Sequence, residues 1–184
     1  MSGGLQRREA LLLFGAGAAM FGERAAAQAL KDQPPLPATL SGFRELAVRD
    51  AAGATTTLGR LIGGERPTVL SFWASWCAPC LVEARHLASL RTQYPENRLA
   101  IIGVNVDAAK DAAKVEPFRI KAKMNYTQAV GQEPYFAVTG TRSIALPRTY
   151  VFDAAGRPVA AFGRFYGRRT TKAITAAVQK ALAG

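Results

Sequence analysis

The chain has 184 residues, 49% of them hydrophobic and 20% charged, which excludes a disordered chain and suits one globular domain with a short extra segment. Its 24 Lys and Arg residues against 13 Asp and Glu give a net charge of +11. No Lys/Arg-rich block interleaved with aromatic residues occurs, so we interpret the charge as a generally basic surface and expect no nucleic-acid partner.

Residues 1–29 have the pattern of a secretory signal peptide. The pair Arg7-Arg8, typical of twin-arginine signals, precedes an apolar run, Ala10–Phe21, and small residues close the segment at Ala27-Gln28-Ala29. The run is shorter than the roughly 20 residues that span a bilayer. We therefore expect export to the periplasm and cleavage after Ala29, by the general or the twin-arginine route. An uncleaved membrane anchor is the alternative.

The next segment, residues 30–42, is polar and proline-rich and is predicted to be a linker, which leaves 43–184 as the folded domain. The domain begins with a predicted hairpin of two strands, Phe43–Val48 and Thr55–Leu58. A β-branched, aromatic and almost wholly apolar run follows at Thr68–Ala74, which is typical of a strand buried on both faces of a sheet.

Helical and extended patterns alternate through the middle of the chain. Apolar residues at three- and four-residue spacing from Leu81 to Leu90 predict a helix that ends before Pro95. The later predicted elements are a strand at Leu99–Val106, a helix at Ala108–Lys123 interrupted near Pro117, a short strand at Tyr126–Val130 and a short helix within Glu133–Arg142.

The last part of the chain predicts a hairpin and a helix. Strand Arg148–Asp153, a turn at 154–157 and strand Val159–Phe162 form the hairpin, and an apolar face from Ile174 to Leu182 marks the helix. Helices between the earlier strands require parallel pairing there, whereas the hairpin is antiparallel. The predicted fold class is therefore α/β, a mixed sheet with helices on both faces.

The only cysteines form the motif Cys77-Ala78-Pro79-Cys80, between the buried strand and the helix that follows it. Free amides at a helix N-terminus stabilise a thiolate, which is the attacking species in disulfide exchange. We expect the Cys77 sulfur to be exposed and to attack a substrate disulfide. Cys80, one turn further, is expected to be covered and to resolve the mixed disulfide. Pro79 is tolerated in the first helical turn and stiffens the loop.

Other uses of two cysteines are less well supported. A structural zinc site has four ligands, whereas the chain contains only His86 besides the two thiols as histidine or cysteine ligands. We therefore expect no metal and no other cofactor. A pair of inert buried thiols does not explain the position at a helix start. A copper-binding protein stays open as a rival.

The stretch Phe72–Cys80 resembles the active-site sequence of thioredoxins, and more specifically that of the exported TlpA/ResA-type thiol–disulfide oxidoreductases. A second segment, Pro147–Gly156, is similar to the later motif of these proteins. The resemblance implies a thioredoxin-like fold with an N-terminal hairpin and a central helix–strand insert, here Ala108–Val130. It also implies that Cys77 and Cys80 are the catalytic redox pair.

The resemblance implies further site residues. Pro147 takes the place of the cis-proline that faces the disulfide, and the backbone of Leu146 would then offer an edge to a substrate peptide. Trp76 and Pro79 would shape the substrate-binding surface. Glu83 takes the place of an acidic residue that tunes the cysteine pKa or shuttles protons, the alternative being a solvated helix residue.

The sequence departs from the relatives at a few positions. Ser71 stands where thioredoxins have a buried aspartate, so that proton relay is expected to be absent. Arg148, next to Pro147, would put positive charge near the site. These departures leave the exchange chemistry in place and bear on which substrate is recognised.

The resemblance implies a periplasmic reductant of exported protein disulfides, such as those of apocytochrome c. Its electrons would come from a membrane thiol-electron transporter, with which transient membrane association is expected. Two alternatives stay open, a disulfide oxidant and a copper-binding assembly chaperone. The absence of a histidine between Cys77 and Cys80 disfavours the oxidant, because such a histidine can stabilise a thiolate.

Overall fold

The computed structural model describes residues 35, 37 and 39–184. The expected signal peptide, 1–29, and most of the expected linker lie outside the described residues. The folded part includes Leu40, whose side chain is buried and whose N–H donates to the Gly156 carbonyl at 2.8 Å. No helix in the described ranges has the length and apolar character needed to cross a bilayer.

Seven strands and five α-helices make up the domain. The strands are Ala47–Asp50 (β1), Thr55–Thr57 (β2), Thr68–Trp73 (β3), Ala100–Asn105 (β4), Thr127–Val130 (β5), Arg148–Phe152 (β6) and Pro158–Phe162 (β7). The helices are Leu58–Ile62 (α1), Ala78–Gln93 (α2), Ala112–Ala122 (α3), Glu133–Thr139 (α4) and Arg168–Ala183 (α5).

The strands form one mixed sheet in the order β2-β1-β5-β4-β3-β6-β7. Strands β3, β4 and β5 are parallel, and the remaining neighbours are antiparallel. This arrangement confirms the predicted fold class, including the N-terminal hairpin, the insert and the C-terminal hairpin. All six residues of β3 and all six of β4 are buried, as the continuous apolar runs predicted.

Helices cover both faces of the sheet. Successive side chains of β3 point to opposite faces, so each face carries apolar residues that pack against helices. Phe72 points toward α4, where its ring meets Tyr135 edge-on at 5.4 Å between centroids. Trp73 points to the other face and stacks on Phe118 of α3 at 5.0 Å. Val69 shares that second face with Ile174 of α5. We call the side covered by α2, α3 and α5 the active-site face.

Three local predictions were wrong. Strand β1 begins at Ala47, because the residues before it form a 3₁₀ turn at Ser41–Phe43. Leu58 starts the unpredicted helix α1, since the Thr57 hydroxyl accepts the Arg60 N–H and caps it. Helix α3 runs through Pro117 without the expected break, and the fixed φ of the proline is compatible with the helix.

The topology brings three loops to one edge of the sheet. The chain leaves β3 after Trp73 and enters α2 through residues 74–77. Parallel strand β4 ends at the same edge, so Asn105 and the residues after it lie beside that loop. Antiparallel β6 begins there, because Arg148 pairs with Phe72. The loop that precedes β6 therefore meets the loop that precedes α2.

Candidate active site

Cys77 is the N-cap residue of α2 and forms a disulfide with Cys80. Its extended backbone (φ −89°, ψ 95°) turns the chain into the helix, and its N–H donates to the Ala74 carbonyl at 3.1 Å. The Cys80 N–H donates to the Cys77 sulfur at 3.3 Å, which is the contact that stabilises a thiolate at a helix start. Pro79 lies in the first turn, where its missing N–H leaves no bond unmade.

Both cysteines are enclosed, which corrects the expectation that the Cys77 sulfur is exposed. Cys77 is 4% exposed and Cys80 is 1% exposed. They belong to the hydrophobic core cluster, against which the half-buried Leu146 packs. Trp76 is 55% exposed and is the large side chain that the loop presents to solvent. Cys77 is thus the slightly more accessible of the two cysteines, and it directly follows the exposed Trp76.

Glu83 is buried and is not the solvated helix residue of the alternative interpretation. Its Oε1 accepts hydrogen bonds from the Ser71 hydroxyl at 3.1 Å and the Thr149 hydroxyl at 2.5 Å. Burial raises the pKa of Glu83 to about 7, and the two hydrogen bonds oppose that rise. Helical spacing of three residues puts Glu83 on the same side of α2 as Cys80.

The contact with Ser71 bears on the expectation that the buried-aspartate relay of thioredoxins is absent. A buried carboxyl group does lie against this position of β3, although it comes from α2 and is held by a hydroxyl of the strand. A buried carboxyl group whose pKa is raised to about 7 therefore lies about one helical turn along α2 from Cys80. The Ser71 and Thr149 hydroxyl oxygens are 3.0 Å apart, so the three polar groups form one buried cluster.

The Leu146–Pro147 peptide bond is cis, as predicted. Pro147 is buried and directly precedes β6 at the edge where α2 begins. Tyr135 of α4 holds the loop that leads to it: the Tyr135 hydroxyl accepts the Ala145 N–H at 2.8 Å and lies 3.2 Å from the Ser143 carbonyl. The sequence analysis missed Tyr135, because an aromatic residue in a short helix is no signal for a loop anchor.

Asp107 was also missed, and it holds the loop before Cys77. Its carboxylate accepts the Ser75 N–H at 2.8 Å, the Ser75 hydroxyl at 3.1 Å and the Asn105 side-chain amide at 2.7 Å. The sequence did contain one signal for Asp107. Polar residues directly follow the buried strand β4, and the ends of neighbouring parallel strands meet at one edge of the sheet.

The residues considered for metal binding do not gather around the cysteines. His86 lies on α2, and its Nε2 is 3.1 Å from the Thr175 hydroxyl of α5. Among residues 35, 37 and 39–184 no three His, Cys, Asp or Glu side chains are grouped to hold a metal ion. What the site can perform chemically is thiol–disulfide exchange at Cys77 and Cys80.

The sequence profile of the AhpC/TSA family matches residues 41–158, a range that contains every site residue described above. The chain belongs to the AhpC/TSA family. It is 34% identical over 157 residues to the thiol:disulfide interchange protein HelX of Rhodobacter capsulatus, covering 83% of each chain. It is 26% identical over 136 residues to the thiol-disulfide oxidoreductase ResA of Bacillus cereus, covering 72% of each.

Solved structures agree with the fold of this AhpC/TSA-family chain. A secreted disulfide oxidoreductase of Mycobacterium tuberculosis, described as homologous to E. coli DsbE, superposes with a TM-score of 0.61 at 19% identity. The match covers 76% of this chain and 98% of the other. The fold is thus thioredoxin-like, and with the named relatives and the Cys77–Cys80 pair it makes the protein a thiol–disulfide oxidoreductase.

Proposed function

We propose that the protein is a periplasmic dithiol reductant of exported protein disulfides, those of apocytochrome c among them. The observation that carries the direction is the buried carboxyl of Glu83 on the Cys80 side of α2. Strong oxidants are those whose reduced form is stabilised as a thiolate. A carboxylate near the cysteines disfavours that thiolate, raises the free energy of the reduced form and favours donation of electrons.

The reduction of the substrate needs only Cys77, Cys80 and Glu83. The Cys77 thiolate attacks one sulfur of a substrate disulfide; the substrate S–S bond breaks and a substrate thiolate leaves. Glu83 then takes the proton of the Cys80 thiol. The Cys80 thiolate attacks the Cys77 sulfur, which forms the Cys77–Cys80 disulfide and releases the second substrate thiolate. Two electrons have passed to the substrate, and a membrane thiol-electron transporter then supplies two others, which reduce the Cys77–Cys80 disulfide.

The substrate-binding surface combines one exposed aromatic side chain with a backbone edge. Trp76 and Pro79 present apolar surface next to Cys77, and Leu146 is half-buried directly before Pro147. An extended substrate segment would pair with the backbone of Leu146 while its disulfide reaches Cys77. This arrangement selects a flexible polypeptide, because a folded surface would not reach two enclosed cysteines.

A peptide test addresses the substrate class. Apocytochrome c carries the haem-attachment motif Cys-x-x-Cys-His, whose oxidised form contains a short disulfide loop. We expect the reduced protein to reduce such an oxidised peptide roughly tenfold faster than a peptide of the same composition with the two cysteines far apart. Stopped-flow tryptophan fluorescence would measure both rates. Equal rates would contradict the apocytochrome proposal and leave the exchange chemistry intact.

Export is the remaining part of the proposal and rests on the pattern of residues 1–29. If the segment is a signal peptide, N-terminal sequencing of the exported protein will begin at Leu30 or within a few residues of it. Membrane-bound protein that retains residues 1–29 would instead identify an uncleaved anchor.

A further inference from the structure

The loop that leads to Pro147 and into β6 is positively charged. Residues 141–148 include two arginines, Arg142 and Arg148, and no Asp or Glu. Arg142 lies over the ring of Phe136, 5.5 Å from its centroid, and this contact holds its guanidinium beside α4. Within the part of the chain that the structure describes, no carboxylate forms an ion pair with either arginine. The charge of this loop is therefore available to a bound molecule.

Arg148 folds back over the backbone that we propose as the substrate edge. Its Nε donates to the Ala145 carbonyl at 3.4 Å, a long hydrogen bond that spans Leu146 and Pro147. Leu146 in turn packs against the hydrophobic cluster that contains both cysteines. The Arg148 guanidinium therefore lies beside the residues that a substrate segment would meet on its way to the disulfide.

A second basic segment follows β7 at the same edge of the sheet. Strand β7 is antiparallel to β6, and its last residue, Phe162, pairs with Thr149, so the chain leaves β7 next to Arg148. Residues 163–169 contain three arginines and no acidic residue. Two of these arginines begin α5, whose backbone amides add positive potential and whose first turn has no acidic residue to offset it. Both segments beside the start of β6 thus have one sign of charge.

The carboxylates near this edge do little to offset that charge. Asp107, after β4, accepts hydrogen bonds from Ser75 and Asn105, and Glu83 is buried under α2. The exposed Glu133 follows β5, which β4 and β3 separate from β6 in the sheet. Charges of one sign that line one side of a site raise the local potential and attract a partner of opposite charge. The Pro147 side of the active site therefore favours an acidic molecule.

We propose that this basic edge, formed by Arg142, Arg148 and residues 163–169, selects substrate segments that carry acidic residues next to their disulfide. The inference rests on the proposed function, reduction of polypeptide disulfides. When a segment pairs with the backbone of Leu146, a carboxylate within a few residues of its cysteines reaches Arg148. Such charge pairs raise the association rate and set the orientation of the segment, whereas a lysine-rich segment is repelled.

Three peptides test the charge preference. Each contains the same oxidised Cys-x-x-Cys loop, and the residues on both sides of the loop are all Glu, all Gln or all Lys. Stopped-flow tryptophan fluorescence measures the second-order rate constant for reduction of each peptide by the reduced protein. At an ionic strength of about 0.01 M the Glu peptide is expected to react roughly tenfold faster than the Lys peptide, with the Gln peptide between them. At about 1 M the three rates should converge, because salt screens the charges.

Substitutions at the basic edge locate the effect. Arg148→Gln and Arg142→Gln are each expected to lower the ratio of the Glu rate to the Lys rate about threefold, because each removes one charge pair. Arg148→Lys keeps the positive charge and should retain most of the ratio. Lys180→Gln is the matched control, since it removes the same charge from an exposed position near the far end of α5. The ratio should not change in that variant.

Failure of this inference differs from failure of the proposed function. If the three peptides are reduced at equal rates at low ionic strength, the charge preference is wrong and the reductant function stands. A ratio that falls as much in Lys180→Gln as in Arg148→Gln would reflect net charge alone and would also overturn the inference. Equal peptide rates, together with binding to phosphatidylserine vesicles that Arg148→Gln abolishes, would assign the arginines to a membrane surface instead. If the reduced protein reduces none of the peptides, the proposed function fails, and the inference fails with it.

Discussion

The Cys80→Ser variant is expected to accumulate covalent complexes with its substrates, whereas Cys77→Ser is expected to accumulate few. Cys77 caps α2, receives the Cys80 N–H on its sulfur and is the more accessible cysteine, so we expect it to be the group that attacks. Once Cys80 is a serine, no thiol is left to break the mixed disulfide. Turnover should fall roughly a thousandfold or more in either variant, because each cysteine is a reacting atom.

Non-reducing gels of the exported variants would show the complexes, and mass spectrometry of the bands would name the substrates. The double variant with both serines is the control, since any band that it retains comes from another protein. Complexes that build up on Cys77→Ser and not on Cys80→Ser would reverse the two roles. That result would make Cys80, a residue inside the helix and 1% exposed, the attacking cysteine.

The Glu83→Gln variant is expected to be more stable than the unaltered protein at pH 8 and similar to it at pH 4. In the folded state the pKa of Glu83 is raised to about 7 from an ordinary 4.5. Below pH 4.5 the carboxyl is protonated in both states. As the pH rises toward 7 the unfolded chain loses the proton first, so the free energy of unfolding falls, by about 3 kcal/mol in total.

Glutamine retains the oxygen that accepts from Ser71 and Thr149 and carries no charge, so this fall should disappear in the variant. Urea denaturation of the oxidised protein at several pH values measures the effect. Glu116→Gln is the matched control, because Glu116 forms an exposed ion pair with Arg119 on α3. Parallel curves for the unaltered and Glu83→Gln proteins would show that the carboxyl is solvated in solution.

The strand and the helix on either side of Cys77 could be predicted from the sequence, because the patterns that indicate them are local. The apolar run of β3, the three- and four-residue spacing in α2 and the position of Cys77 between them are properties of adjacent residues. The cis Leu146–Pro147 bond came from the family resemblance alone. Helix α1 was missed because its cap, Thr57, also fits the preceding strand.

The environment of the site depended on contacts that no local pattern contains. Glu83 is buried because hydroxyl groups 12 and 66 residues away, Ser71 and Thr149, converge on it across two strands. Ser71 by itself suggested that the buried-aspartate relay is absent, because the sequence does not show that the Glu83 carboxyl reaches this position. Cys77 was expected to be exposed because a helix N-terminus is open in isolation, whereas here the site loops enclose it.

The most direct test of a reductant is its reduction potential, measured by equilibrating the protein with a glutathione redox buffer. Two opposing effects set that potential. The helix start stabilises a Cys77 thiolate, whereas the Glu83 carboxyl opposes a nearby thiolate. We predict a value nearer the roughly −270 mV of thioredoxin than the roughly −120 mV of a strong periplasmic oxidant. A value close to −120 mV would contradict the account and make the protein a disulfide donor.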